Sequence, residues 1–307
     1  MKPSLLLWRA GVAALTLMIA SLIVFFSLNL IPGDPALSLL GVGASPEAVA
    51  RLREGLGLNL PPLSRYLGWL GGALRGDLGE SIRYSQPVSE LLRGRLPFTL
   101  ALTLGSLLLS TALALALGVL AARRAGSRLD LALRVVLTLL SAIPAFWLGL
   151  ILILIFAVRY GLLASTGFSH PRDLILPVAT LVLVRVSLPT RMVRSSLLAV
   201  FSSDHVRTAR AKGLSERRVL LRHGLRNALI PLLTVLGLEF AELLTGTVIV
   251  ENVFALPGLG TLALQAIAAR DFPLVQGVVL LLAGFVVLVN LLVDLGYGLL
   301  DPRVRYG

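Results

Sequence analysis

A run without any charged side chain covers residues 96–122 and reads LPFTLALTLGSLLLSTALALALGVLAA. A helix of this length, rising about 1.5 Å per residue, is longer than the roughly 30 Å hydrocarbon core of a bilayer. Three further runs lack Asp, Glu, Lys and Arg and cover residues 10–33, 135–158 and 272–293. Two more apolar runs, residues 174–192 and 229–250, reach spanning length with a few internal charges. The pattern predicts an all-α membrane protein with six transmembrane helices.

Composition and charge fit a membrane protein. Hydrophobic residues make up 56% of the chain and charged residues 14%, whereas soluble domains have about 45–50% and about 25%. The net charge of +12 does not indicate nucleic-acid binding, because most basic residues lie in alternate connecting segments. This distribution follows the positive-inside rule and predicts that both termini face the cytoplasm. The chain has no cysteine, which excludes disulfides and thiolate metal sites.

Polarity divides the chain into three predicted regions. Residues 1–33 hold the first transmembrane helix, residues 34–95 form an extracytoplasmic segment, and residues 96–307 hold the other five helices. In the outer segment, Ser45 before Pro46 predicts the start of a short helix. A second short helix is predicted to place four residues on one apolar face: Leu63, Tyr66, Leu67 and Leu70.

Prolines interrupt the third and fourth predicted spans. Pro144 lies in the third span, and Pro177 and Pro189 lie in the fourth. A proline inside a spanning helix frees a backbone carbonyl, which must then face protein or water rather than lipid. The two spans are therefore predicted to be interior helices.

The longest predicted cytoplasmic segment, residues 191–228, has the features of a docking element. A short helix capped by Ser203 or Asp204 would end at Gly213, because glycine readily adopts the left-handed conformation after a helix. Three small residues on one narrow face would let the backbone of another protein approach closely: Val206, Ala209 and Gly213. A second helix would carry arginines at every fourth position, Arg218, Arg222 and Arg226. A solvated positive-inside loop is the alternative for this second part.

Short motifs occur along the whole chain in a fixed order. Residues 206–214 read VRTARAKGL, and residues 222–231 read RHGLRNALIP. The other motifs are IPGDPA (31–36), GDLGES (76–81), RLPFTL (95–100), FWLG (146–149), VFALPGLG (253–260), RDFPLVQG (270–277) and LDPRVRYG (300–307). Together they resemble, nearly end to end, the permease subunits of dipeptide, oligopeptide and nickel ATP-binding-cassette (ABC) importers.

The cytoplasmic motif also departs from the wider importer superfamily. That superfamily has Glu-Ala-Ala, three further residues and then Gly at this loop. When the loop is aligned on Gly213, those positions hold Arg207, Thr208 and Ala209. The acidic residue is therefore absent, while the small third residue and the glycine match.

The resemblance implies a type I ABC importer permease fold with cytoplasmic coupling helices, in the bacterial inner membrane. It assigns contact with the ATPase to the short helix and its turn: Asp204, Val206, Arg207, Thr208, Ala209, Arg210, Ala211, Lys212, Gly213 and Leu214. Within this set, Ala209 and Gly213 are predicted to pack in a groove of the ATPase.

The resemblance also implies partner subunits. Neither Lys2 nor Lys212 lies in a phosphate-cradling Gly-x-x-x-x-Gly-Lys-Ser/Thr loop, so ATP must be bound by another subunit. The resemblance assigns ATP and Mg to two ATP-binding-cassette ATPases. The chain itself is expected to be no enzyme and to bind no cofactor or metal. Its other expected partners are a second homologous permease, an extracytoplasmic substrate-binding protein and membrane lipid.

Three ionisable residues fall inside predicted spans, where charge is costly. Counting along spans four and five puts Arg185 and Glu239 at similar depth, and Glu242 lies one turn further out. These residues could line a polar pathway for an amphoteric solute such as a peptide. The alternative is an ion pair that fixes span four against span five.

The outer segment of residues 252–273 resembles the short re-entrant helix and loop of the family. The resemblance places four residues at an outer gate or in contact with the binding protein: Phe254, Pro257, Gly258 and Gly260. A plain connector between spans five and six is the alternative.

Cargo and mechanism leave further alternatives. The resemblance favours import of di- or oligopeptides, with nickel chelates and glutathione as other cargoes. A self-contained secondary transporter could use interior charges to carry ions or protons, but it does not account for the cytoplasmic segment. An intramembrane hydrolase is disfavoured because His170, His205 and His223 all fall in loops.

Overall fold

The computed structural model describes residues 3–29, 37, 43–55, 57–218, 220 and 226–300. In chain order its helices are α1 Pro3–Asn29, α2 Pro46–Gly55, α3 Pro62–Ala73, α4 Val88–Arg123, α5 Arg128–Ala142, α6 Ala145–Leu152, α7 Ile175–Arg185, α8 Ser187–Phe201, α9 Asp204–Ala211, α10 Glu216–Arg218, α11 Arg226–Val253, α12 Leu259–Ala268 and α13 Phe272–Leu300. A π-helical segment, Ile153–Arg159, follows α6, and a 3₁₀ turn, Pro171–Leu174, precedes α7. Strands β1, Glu80–Ser81, and β2, Gln86–Pro87, form a small antiparallel hairpin.

Within those residues, four helical stretches are long and apolar enough to cross a membrane: Leu7–Ser27, Val88–Arg123, Pro231–Val253 and Phe272–Gly296. Two further spans are bent pairs. Arg128–Ala142 meets Ala145–Arg159 at 100°, and Pro171–Arg185 meets Ser187–Phe201 at 48°. Counting each pair as one span gives six, in agreement with the predicted fold, although the third and fourth spans are broken rather than continuous helices.

Proline chemistry explains where the two bent spans break. Pro144 occupies the position before α6 with extended backbone, so α5 ends at Ala142. In span four, Pro189 has no amide hydrogen to donate to the carbonyl of Arg185, and the bend falls at Val186, between α7 and α8. Pro177 sits in the first turn of α7, where a missing amide hydrogen has no intrahelical cost.

Contacts group the chain into two compact units, each with its own core. The first consists of Met1–Pro3, Thr99–Leu256 and Leu288–Gly307, and the second of Ser4–Phe98 and Pro257–Val287. The division by polarity into residues 1–33, 34–95 and 96–307 remains a prediction.

The first unit is built on close helix contacts around α4, α7, α8 and α11. One apolar cluster includes Leu102, Leu181, Leu243 and Phe254. At Gly118 of α4, a Cβ atom would lie 2.6 Å from Cγ1 of Val193 on α8. Only a glycine therefore permits this approach of the two helices.

The second unit joins the β-hairpin to the start of α13 through a buried carboxylate. The Asp271 carboxylate accepts hydrogen bonds from the Ser81 hydroxyl at 2.5 Å and the Arg83 amide at 3.1 Å. It also accepts from the Leu274 amide at 3.2 Å, so it caps α13.

The N-cap prediction for α2 is confirmed, and the apolar face predicted for α3 is buried at one residue only. The Ala48 amide donates to the Ser45 hydroxyl oxygen at 3.3 Å. In α3, Tyr66 is buried, whereas Leu63 and Leu67 are 61% and 58% exposed. The buried face is aromatic because Tyr66 packs edge-on against a phenylalanine of α1, Phe25, with ring centroids 5.4 Å apart.

Candidate coupling helix and membrane-embedded charges

The predicted short helix of the cytoplasmic segment forms as α9, Asp204–Ala211. Gly213 follows with φ of 80°, its amide donates to the Arg210 carbonyl at 2.9 Å, and the Leu214 amide donates to the Ala209 carbonyl at 3.2 Å. These two bonds form a Schellman motif, which requires the left-handed conformation that glycine supplies. Ser203 occupies the N-cap position, but its hydroxyl donates to the Val200 carbonyl instead of capping the helix.

Arg210 fixes α9 to the segments before and after it. Its Nε and second terminal nitrogen donate to the two carboxylate oxygens of Glu216 at 2.8 and 3.1 Å. The guanidinium also donates to the Phe201 carbonyl at 3.4 Å and lies 5.8 Å from the centroid of the Phe201 ring. The hydrogen bonds from Arg210 lower the pKa of Glu216 below its ordinary value, and the same pairing raises the pKa of Arg210.

The small-residue face of α9 packs against the chain itself, which corrects the predicted docking of Ala209. Val206 is fully buried and Ala209 is 8% exposed. Both lie in one cluster with Val200, Phe201 and Leu214. This face is therefore occupied at the end of α8, and Ala209 is not available to a groove on another protein.

The opposite face of α9 is exposed. Four exposed residues lie at helical spacing, and we refer to them as the coupling face: Asp204, Arg207, Thr208 and Ala211. After the helix, Lys212 and Gly213 are also exposed and Leu214 is half-buried. Arg207 and Asp204 lie 3.5 Å apart, with side chains 81% and 95% exposed, so their ion pair contributes little to stability.

The beginning of the second predicted helix lies within the described residues. Glu216–Arg218 is helical as α10, and Arg222 lies outside the described residues. Arg226 is the first residue of α11. The basic stripe remains a prediction.

An ion pair between a buried aspartate and a half-buried arginine links α8 to α5 near the start of the cytoplasmic segment of residues 191–228. The Arg194 guanidinium donates to both carboxylate oxygens of Asp130, at 2.8 and 2.7 Å. Asp130 is fully buried and also accepts from the Gly126 amide at 3.0 Å. This pair was not predicted from the sequence. The capping pattern of Ser127 and Asp130 was a signal for the helix start, but it did not indicate Arg194 as the partner.

The charges inside the spans meet, as the depth count predicted, but the partner of Arg185 is Glu242 rather than Glu239. A terminal nitrogen of Arg185 lies 2.9 Å from Oε2 of Glu242, and the two side chains are 29% and 59% exposed. Glu239 is 3% exposed, and its Oε2 has no hydrogen-bond partner among the residues that the structure describes. Spans four and five thus present a partly exposed charge pair beside a buried carboxyl group.

The outer segment contains the expected short helix, but Phe254 is not exposed to a binding protein, and its place at an outer gate remains a prediction. Phe254 is buried in the apolar cluster of the first unit, and its carbonyl accepts from the Gly167 amide at 2.8 Å. In the second unit, Gly258 forms the N-cap position of α12. Gly258 and Gly260 are buried, which leaves the half-buried Pro257 as the most accessible of the three.

Comparison with known proteins gives matches along nearly the whole chain. The family described as "Binding-protein-dependent transport system inner membrane component" matches residues 114–306. A second family, "Binding-prot-dependent transport system membrane comp, N-term", matches residues 3–103. Together the two matches include all of the predicted spans except residues 104–113 of the second.

Similar proteins include transport permeases of several bacteria. A putative peptide transport system permease protein of Brucella melitensis is 41% identical and covers 100% of both chains. The glutathione transport system permease protein GsiC of Salmonella typhimurium is 41% identical, with 95% of each chain covered. The oligopeptide transport system permease protein AppB of Bacillus subtilis is 39% identical, covering 92% of this chain and 93% of its own.

A solved structure has a similar fold. The MetNI methionine ABC transporter, in an inward facing conformation, matches with a TM-score of 0.57 and 22% identity. The match covers 69% of this chain and 96% of that chain. At this identity the similarity concerns the fold alone.

Proposed function

Because this chain belongs to the binding-protein-dependent transport system inner membrane component family, we propose that it translocates di- and oligopeptides as half of a heterodimeric pathway. The observation that carries the proposal is the coupling face, an exposed helical stripe held rigidly on the end of a spanning helix. Relatives named as peptide and oligopeptide permeases support the cargo. Glutathione, itself a small peptide, is the alternative cargo, supported by the similarity to a glutathione permease.

The structure suggests how force from an ATPase would enter this chain. Val206 and Ala209 pack on the end of α8, and Arg210 bonds to both Phe201 and Glu216. A push on the coupling face would therefore move α9 and α8 together rather than bend the loop between them. The energy would come from hydrolysis of ATP, which two partner ATPases would bind together with Mg. Each ATPase would contact one permease.

The pair of Arg185 and Glu242 supports a second permease subunit. Charged side chains within a membrane span do not normally face lipid, yet Glu242 is more than half exposed in this chain alone. A homologous permease packed against this side would enclose the pair and give it a polar, water-filled surrounding. The amine and carboxylate of a peptide would find complementary charges there. An extracytoplasmic binding protein would deliver the peptide, with both termini of this chain in the cytoplasm.

Reconstitution tests the proposed function. The chain is placed in liposomes with its second permease, the ATPase pair and the binding protein, and uptake of a labelled dipeptide is measured. Uptake is expected only with ATP on the side of the ATPases and with the binding protein on the opposite side. Uptake by the chain alone under an ion gradient would instead identify a secondary transporter.

Glu242→Gln is expected to lower peptide uptake about tenfold, the effect of losing about 1.4 kcal/mol of interaction with the moving peptide. The matched control is Glu54→Gln, an exposed glutamate of α2 that should leave uptake unchanged. The charge-swapped double variant Arg185→Glu/Glu242→Arg separates the two roles. If the pathway recognises the charges of the peptide, uptake by the charge-swapped variant stays low. Recovery of uptake would mean that the pair only holds the helices together.

A further inference from the structure

A cavity of about 370 Å³ lies among α1, α3 and the first residues of α13, within the second unit. Its volume falls in the range of roughly 300–1,000 Å³ that is typical of ligand pockets. Aromatic rings supply much of its wall, with Phe25 from α1, Trp69 from α3 and Phe272 from α13. The transport pathway proposed above uses none of these residues.

The cavity lies at the level where two membrane spans end. Phe25 is close to the end of the span Leu7–Ser27, and Phe272 is the first residue of the span Phe272–Gly296. The hydrocarbon core of the bilayer therefore ends beside the cavity, whichever side of the membrane it faces. Tryptophan and tyrosine are enriched at this boundary, where Trp69 and Tyr66 are found.

The polar groups of the lining favour an anion. Arg65 is the one ionisable side chain among the described residues that line the cavity, and its guanidinium lies 5.8 Å from the centroid of the Phe25 ring. The buried indole N–H of Trp69 has no acceptor within the part of the chain that the structure describes. A buried indole N–H normally finds a hydrogen-bond partner. The hydroxyl of Ser64 is a further donor in the wall.

We propose that this cavity binds the phosphate-bearing head group of an anionic phospholipid. Arg65, Trp69 and Ser64 would supply a charge and hydrogen-bond donors for the phosphate. The acyl chains would lie along the exposed Leu63 and Leu67, which sit on the adjacent surface of α3. The bound lipid would hold the surface helix α3 against the transmembrane helix α1.

Quenching of Trp69 fluorescence by brominated lipids tests the proposal. The full-length chain, with Trp8→Phe and Trp147→Phe to leave one fluorophore, is placed in mixed micelles with brominated phosphatidylglycerol or brominated phosphatidylcholine. Phosphatidylglycerol is expected to bind about tenfold more tightly, because no choline cation offsets the charge of its phosphate toward Arg65. Arg65→Gln should remove this preference, while the control Arg75→Gln, at an exposed arginine just beyond α3, should keep it.

A second variant fills the space without removing a charge. A Cβ atom on Gly68 would meet nothing within 4 Å, so Gly68→Leu should fold and occupy the cavity. It is expected to abolish the quenching that comes from tight binding of brominated phosphatidylglycerol. Equal quenching by both lipids, or a preference that survives both Arg65→Gln and Gly68→Leu, would refute the site. Excess inorganic phosphate that displaces the lipid completely would assign the cavity to free phosphate instead.

Discussion

Asp130→Ala is expected to destabilise the protein by about 3 kcal/mol, because it leaves the guanidinium of Arg194 without its buried counter-charge. The Asp130 carboxylate receives two hydrogen bonds from Arg194 and one from the Gly126 amide, and its side chain is fully buried. Removing one partner of such a pair costs more than removing both. Thermal unfolding of the purified chain in detergent measures the effect as a fall in midpoint temperature.

Two further variants separate the charge effect from simple loss of packing. Asp130→Leu/Arg194→Met replaces the pair with apolar side chains and is expected to recover most of the lost stability. Asp204→Ala removes an aspartate that is 95% exposed, and its effect should stay within about 0.5 kcal/mol. A midpoint for Asp130→Ala equal to that of Asp204→Ala would show that the pair does not stabilise the fold.

The same pair bears on the proposed coupling between an ATPase and the membrane helices. Asp130 lies in the first turn of α5, and Arg194 lies on α8, which leads into α9. A movement of α9 that is carried along α8 would reach α5 through these two side chains. Asp130→Leu/Arg194→Met is therefore expected to restore stability more completely than it restores ATP-driven uptake.

Hydrophobic runs and prolines were sufficient to predict the spans, because a helix in lipid must satisfy its own backbone. The break at Pro144 and the bend before Pro189 follow from the same requirement. The meeting of Arg185 with the acidic residues of span five was predictable as well, since helical rise converts sequence distance into depth. Depth alone could not show whether Arg185 pairs with Glu239 or with Glu242, because the choice of partner depends on how the helices are rotated about their axes.

Burial was harder to predict, because lipid takes the role that a protein core has in soluble domains. Leu63 and Leu67 were grouped with Tyr66 by their hydrophobicity, yet only Tyr66 is buried. Phe254 was assigned from a motif to an outer gate or a contact with the binding protein, and it lies in the core. Ala209 shows a related limit. Periodicity identified its face as close-packed, but it could not tell whether the partner was another protein or the end of α8.

Ala211→Trp is expected to reduce peptide uptake by at least about tenfold, to near background, while the chain keeps its stability to within about 0.5 kcal/mol. Ala211 lies on the coupling face and is exposed, so a large side chain there would lie outside the core that the described residues form. It would instead prevent close approach of an ATPase surface. Uptake into proteoliposomes, ATPase stimulation by the loaded binding protein, and copurification of the ATPases measure the three consequences.

Two matched substitutions test whether the effect of a tryptophan depends on its position in the chain. Ala50→Trp, at an exposed alanine of α2, should leave copurification of the ATPases unchanged. Ala209→Trp should instead lower the stability of the chain itself, because Ala209 is 8% exposed and packs with Val200 and Phe201. Normal uptake by Ala211→Trp would mean that no subunit docks on this face. Loss of uptake without loss of stability would support a partner there, because Ala211 is exposed among the residues that the structure describes.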